Sequence, residues 1–201
     1  MRGFTMPELL TALIIIGILA AAASPVFVRL MRDNRVSSAA TNFADVFRTA
    51  RNRALGRGSA VMVRWEAGHA IPSASNLAGQ LTMREAISGT ADNCAPMPAP
   101  NCLGTTWTEA STNSKFVMSF DARPQQYQPN TSTFYDPDNA ARTYAEICFT
   151  PRGRTFVRYA SGDNFTALAG VPRIEVLNTL TSFKRQVVIP PNGMARVITT
   201  L

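Results

Sequence analysis

Hydrophobic positions divide the first quarter of the chain into two unlike halves. From Leu9 to Ala23 the sequence is apolar without a charge, and Phe4–Pro7 before it and Val26–Val28 after it extend the segment. About 20 helical residues at roughly 1.5 Å each cover a hydrocarbon core of about 30 Å, so the segment is long enough to cross a bilayer. Beyond it, Val36, Ala40, Phe43, Phe47, Ala50 and Ala54 recur at alternating spacings of four and three, which is one face of a helix. No Gly or Pro lies between Val26 and Leu55, and Gly56 and Gly58 supply a stop. The pattern predicts one helix from about Phe4 to Leu55, roughly 75–80 Å long. Pro25 is expected to bend it, because its ring clashes with the Ala21 carbonyl and removes one hydrogen bond. The first half of such a helix needs lipid or neighbouring helices; the second needs a folded head to cover its stripe.

The remainder, 58–201, reads as mostly β. Ser59–Trp65, Lys115–Asp121, Glu146–Thr150, Thr155–Tyr159, Arg173–Leu177, Arg185–Ile189 and Ala195–Thr199 are short runs rich in β-branched and aromatic residues. Thr150-Pro151-Arg152-Gly153 and Pro190-Pro191-Asn192-Gly193 mark tight connections, the Asn-Gly pair being a strong hairpin signal. The stretch from about 67 to 113, rich in Ala, Ser, Thr, Pro and Asn, is expected to be a long surface insertion with one strand or helical turn near Gln80–Ile87. Asn130–Asn139 is expected to be a second loop. The fold class is therefore α+β: a long amino-terminal helix packed on an antiparallel β-sheet head.

Glu8 is the anomaly. An ionised carboxylate within a membrane helix costs on the order of 2.5–3.5 kcal/mol, less near the helix end. A secretory signal cut near Ala20–Ala23 and a plain anchor with Arg2 on the cytoplasmic side both leave Glu8 as an accident. A third reading gives it a purpose. Gly3-Phe4-Thr5-x-x-Glu8 followed by a long aliphatic run resembles the class III signal of type IV pilins and of the pseudopilins of type II secretion. The resemblance implies cleavage between Gly3 and Phe4 by a membrane prepilin peptidase, which leaves 1–3 as a leader. N-methylation of the Phe4 amine and pairing of Glu8 with that amine on an adjacent subunit would follow. Gly17 and Pro25 fall where many members carry a glycine and a helix-bending proline. Pro7 departs from the usual aliphatic residue, but proline is tolerated in a first helical turn.

A closer likeness joins both ends of the chain. Ala50-Arg51-x-x-Ala54-x-x-Arg57-Gly58-x-x-Val61, Cys148-Phe149-Thr150-Pro151-Arg152-Gly153-Arg154 and the Pro-Pro-Asn-Gly turn together resemble the GspH/FimT/FimU group of minor pilins and pseudopilins. Membership implies a helical unit 4–57, with 4–28 in the inner membrane, and a periplasmic head that later moves into a filament at the cell surface. It implies other minor and major pilins, the peptidase and methylase, an inner-membrane assembly platform and membrane lipid as partners. Ala22-Ala23-Ser24-Pro25-Val26-Phe27 and Asn34-Arg35-x-x-Ser38-Ala39-Ala40 resemble FimU/FimT more than GspH, which implies a type IV pilus role, near the tip and in priming assembly, with a GspH-like role in type II secretion as the alternative.

Export permits disulfides. Cys94 and Cys102 stand eight residues apart in a loop with little apolar content, and a bond there would stabilise it by roughly 2–3 kcal/mol. Cys148 is expected to be a small buried residue in a strand, although three cysteines allow three pairings.

Charge enters last. Of 20 basic residues, against 13 acidic, all but Lys115 and Lys184 are arginine, and the formal charge is +7. Arg29, Arg32, Arg35, Arg48, Arg51, Arg53 and Arg57 line the helix, where solvent, lipid headgroups and carboxylates of neighbouring subunits are the expected contacts. Arg152, Arg154 and Arg158 cluster at one hairpin. Some FimT-like relatives bind DNA, and these three with Arg196 are the candidate phosphate contacts. The Gly-Arg-x-Arg motif of those relatives is incomplete at Gly193-Met194-Ala195-Arg196. Asp136 and Asp138 in Tyr-Asp-Pro-Asp-Asn suit either a calcium ligand pair or a solvated turn. His69 is the single histidine, and no phosphate loop, dinucleotide fingerprint or zinc-protease motif is present. No enzyme activity, metal or cofactor is expected.

Overall fold

The computed structural model describes residues 5–68, 79–88, 97–108, 111–122 and 130–199. Gly3, Phe4, His69 and Cys94 lie outside them. A single helix, α1 (Met6–Arg57), runs for 52 residues through Gly17 and Pro25 without interruption. Pro7 sits in its first turn, where the missing amide would have had no partner. Gly58 ends it at φ 68°, the left-handed cap that only a residue without a Cβ takes freely.

The head is built from strands β1 (Val61–Glu66), β2 (Gln80–Ser88), β3 (Met97–Pro98), β4 (Ser114–Asp121), β5 (Asn130–Tyr135) and β6 (Ala141–Arg142). After these come β7 (Tyr144–Phe149), β8 (Thr155–Arg158), β9 (Thr166–Ala167), β10 (Arg173–Asn178), β11 (Lys184–Val188) and β12 (Arg196–Ile198). Among the described residues they form two antiparallel sheets. The larger is ordered β3-β2-β1-β7-β8-β9, with β4 also paired to β2; the smaller is ordered β12-β11-β10-β5-β6.

The carboxy-terminal half of α1 is the core of the head. Val36, Ala40, Phe43, Phe47, Ala50 and Ala54 are all buried, as their spacing predicts, and Ala39, Ala44 and Val46 join them. The buried face is wider than one stripe because the helix serves both sheets. It packs on Val61, Val63, Leu81, Met83 and Ile147 from the larger and on Ile174, Val176, Val187 and Ile189 from the smaller. Alanines let the backbones approach, while Phe43 meets Phe120 edge-on with centroids 5.3 Å apart.

β5 and β10 alternate buried and half-buried positions, as sheet strands covered on one face do. β7 does not: five of its six residues are buried. Its second face is covered by a smaller cluster of Ala60, Met62, Ala86, Cys102, Trp107, Cys148 and Phe165.

Three expectations are corrected. The strand expected near Gln80–Ile87 is present as β2, but not on a surface insertion: it lies inside the larger sheet between β1 and β4 and is largely buried. Asn130–Asn139 is not a loop throughout. Its first six residues form β5, which pairs with β10, and there the Asn178 Nδ2 donates to the Asn130 Oδ1 at 3.1 Å. The predicted Cys94–Cys102 bond is replaced by Cys102–Cys148, with Cα atoms 6.0 Å apart. Packing beneath β7, not closeness in sequence, selects the partner: Trp107 Nε1 donates to the Cys102 carbonyl at 3.3 Å and both sit in the smaller cluster.

Candidate functional site: a bare apolar helix and its arginine anchors

Thr5 stands at the amino end of α1, with amides of Glu8 and Leu9 donating to its carbonyl at 3.1 and 3.2 Å. Glu8 occupies the third helical position and reaches back: its Oε2 accepts from the Thr5 amide at 3.4 Å and the Thr5 hydroxyl at 3.3 Å. A carboxylate in a first turn also faces the positive end of the helix dipole. In a lone subunit, then, Glu8 is held by its own helix end through long, solvent-accessible contacts. The sequence already contained this signal in Thr5-x-x-Glu8, a capping pattern.

Above Glu8, nothing among the described residues covers the apolar half of the helix. It includes one stretch long and apolar enough to cross a membrane, and none of that stretch is buried by the rest of the chain. Leu10, Ile14, Ile18 and Phe27 are all more than half exposed. That separates it from the core helix of a soluble domain, whose apolar face is hidden.

The arginines farther along turn inward. Arg48 Nε donates to the Ala195 carbonyl at 2.7 Å, and Arg51 donates to the carbonyls of Pro191 (3.2 Å) and Gly153 (3.4 Å). Arg53 donates to Glu85 Oε2 at 2.8 Å, and Arg57 pairs with Glu85 Oε1 at 3.1 Å. These four therefore bind their own head, correcting the expectation of carboxylates on neighbouring subunits. Sequence spacing put them on the helix but could not show which loops would close over them.

Buried acids carry the other half of these contacts. Glu85 is 1% exposed and also accepts from the Ser59 hydroxyl at 2.7 Å, with Lys115 at 3.7 Å. Burial alone would raise its carboxyl, but the Ser59 hydroxyl and the Arg53 guanidinium outweigh it and hold it below the usual range. Glu146, fully buried, takes Arg64 at 2.8 Å together with Arg158 and the Tyr144 hydroxyl. Burial and then Glu146 push the Tyr144 phenol up. Asp136 is buried too. Its Oδ1 accepts from the amides of Asp138 (3.0 Å) and Ala140 (2.8 Å), and Arg142 clamps its Oδ2 at 2.6 and 2.9 Å. Burial would raise it; Arg142 and those amides win and lower it. The Tyr-Asp-Pro-Asp-Asn turn is thus an exposed turn at Asp138 and Asn139, tied down by an arginine clamp on the buried Asp136. Among the described residues no group of His, Cys, Asp and Glu is arranged to hold a metal.

The candidate phosphate contacts separate. Arg158 is bound to Glu146 and stacks on Phe165 with its guanidinium 4.5 Å from the ring centroid, so it is withdrawn from that role. Arg152 and Arg154 remain exposed and line a recess of about 380 Å³ with Leu103, Thr150 and Phe156. Arg196 is exposed on β12, away from this recess.

The geometry defines a class first: a membrane-length apolar helix continuing into the spine of a β-rich head. Residues 1–24 match the family described as the prokaryotic N-terminal methylation motif. The apolar helix and this motif together fit a membrane-anchored chain. Among solved structures, the chain is similar to the type IV minor pilin FimU of Pseudomonas aeruginosa strain PAO1, at 14% identity and a TM-score of 0.41, over 84% of this chain and 90% of that one. No curated protein matches it.

Proposed function

We propose that this chain is a minor pilin: a non-catalytic subunit of a type IV pilus, anchored in the inner membrane by 4–28 with its head in the periplasm. It then enters the filament at or near the tip, where it helps to prime assembly. One observation carries the reading. A methylation motif over the first 24 residues opens a helix whose apolar half its own head leaves bare, while the other half is the spine of that head. Bare apolar helix of this length is stable only among lipid tails or other helices, so the same surface serves storage and assembly.

In this reading a prepilin peptidase cuts between Gly3 and Phe4, and methylation keeps the new Phe4 amine basic. During assembly, Glu8 gives up its weak contacts to Thr5 for the Phe4 amine of a neighbour, a charge pair that strengthens as water leaves. Gly17 and Pro25 let the helix adjust as it packs among major and minor pilins over the inner-membrane assembly platform.

The test is a pair of substitutions in the native host. Glu8→Ala should be processed and inserted normally yet be missing from sheared filaments, and Gly3→Asp should remain at precursor size. Normal incorporation of Glu8→Ala would refute the pairing. Intact pili with lost secretion after deletion would assign the chain to a type II system instead.

A further inference from the structure

The turn between β10 and β11 is built more firmly than a loop in solvent requires. Asn178 is buried, and its Oδ1 accepts from the amides of Leu180 (2.9 Å) and Thr181 (3.1 Å), while its carbonyl accepts from the Ser182 amide at 2.9 Å. Ser182 is held at φ 56°, a left-handed conformation unusual for a residue with a side chain. The Thr181 hydroxyl donates to Asp33 Oδ1 at 2.7 Å and ties the turn to α1. What this frame presents is a leucine: Leu180 is 62% exposed. Beside it, between turn and helix, lies an open recess of about 490 Å³ lined by Pro25, Val28, Arg29, Arg32, Leu180 and Thr181.

The level of this recess along the helix matters. No charge intervenes between Glu8 and Arg29. The rise from Leu9 to Val28 is about 30 Å, the thickness of a hydrocarbon core, so Arg29 and Arg32 fall in the headgroup layer on the head's side. Leu180 lines the same recess and therefore falls at that depth too. Neither guanidinium has a hydrogen bond or ion pair among the described residues, and the nearby Asp33 is engaged by Thr181.

We propose that the β10–β11 turn is a foot that docks the head on the bilayer, building on the anchored-subunit reading above. Leu180 enters the boundary between headgroups and acyl chains, and Arg29 and Arg32 hold the phosphate of an anionic phospholipid in the recess. Guanidinium groups suit phosphate because they offer paired N–H donors, and a rigid turn loses little freedom when it docks. The contact fixes the height and rotation of the head while the subunit waits in the membrane.

The experiment uses the full chain in vesicles of phosphatidylcholine, alone or mixed with phosphatidylglycerol, with lipids brominated near the headgroup. Leu180→Trp adds an exposed indole, and the native Trp65 and Trp107, each 1% exposed, supply the unquenched baseline. Brominated lipid should quench the emission of the introduced indole in mixed vesicles. Adding Arg29→Gln or Arg32→Gln should shift the docked-to-undocked balance there by roughly fivefold per arginine, with little change in neutral vesicles. Protein that floats with vesicles but shows only baseline quenching overturns the foot and leaves the anchor standing. Protein that does not float overturns both. Quenching absent in vesicles, with a blue shift of the introduced indole only in assembled filaments, gives the recess to a neighbouring subunit and refutes the lipid.

Discussion

Removing Cys148 should unfold the head far more readily than removing Cys94. The Cys102–Cys148 bridge spans a sequence separation of 46. Closing a loop of that length restricts the unfolded chain by an entropy worth about 4 kcal/mol at 25 °C, against about 2.5 kcal/mol for the eight-residue loop that Cys94 and Cys102 would close. The difference has a structural reading as well. The longer bridge fastens the segment carrying Trp107 to the outer face of β7, and it closes a cluster that would otherwise be held by a few side chains. The assay is thermal and urea unfolding of the full chain in detergent, for wild type, Cys94→Ala and Cys94→Ala/Cys148→Ala, each with and without reductant. Cys94→Ala should melt with wild type, and reductant should lower both by roughly 8–16 °C. The double variant should already sit at the reduced value and ignore reductant. Equal losses in Cys94→Ala and the double variant, or a non-reduced peptide map joining 94 to 102, would refute the argument.

Other outcomes follow from the buried charges and close approaches. Glu85→Gln should cost about 3 kcal/mol, measured by urea unfolding, because Arg53, Arg57 and Lys115 lose the one carboxylate they share. Glu85 and Asp136 are both held below their ordinary values, so the folded head binds fewer protons than the unfolded chain in acid. Their contribution is complete above about pH 5 and disappears as pH falls through about 4 and below, which a pH series of melting temperatures would register. A stability flat from pH 6 to pH 3 would contradict this. Gly79→Ala should destabilise by about 2 kcal/mol: the residue sits at φ 84°, and an added Cβ would meet Ser132 Oγ and lie 2.9 Å from Trp65 Nε1. Arg152→Ala/Arg154→Ala should leave stability within about 0.5 kcal/mol. In a gel shift at rising salt, any DNA retardation by the wild-type chain should vanish with them, and retained binding would exclude this hairpin.

Much of the fold was legible because its periodicities are strong. The stripe Val36–Ala54 gave the buried helix face, and every predicted strand run coincides with a strand to within a few residues. What escaped is polar. β5 reads Asn-Thr-Ser-Thr-Phe-Tyr, and its inward Asn130 side-chain carbonyl accepts from Asn178, a partner far away in sequence that no local pattern reveals. β2 was expected as a strand or helical turn on a surface insertion, and its place inside the larger sheet was not legible because that burial depends on neighbours far away in sequence. The same holds for the arginines: seven along the helix look alike on paper, yet Arg48, Arg51, Arg53 and Arg57 are committed to the head while Arg29 and Arg32 are not. Glu8 was conspicuous as a misplaced charge, but its rest-state contact with Thr5 is a matter of helix-end geometry.

Arg48 and Arg51 grip the loops at 191–195 and at Gly153 through main-chain oxygens alone. A carbonyl is present whatever side chain the residue bears. The side chains on the outward face of those hairpins are thus free to vary without loosening the joint. In the proposed filament, tension would pass from the helix to the head through rivets that mutation of the loops does not easily remove.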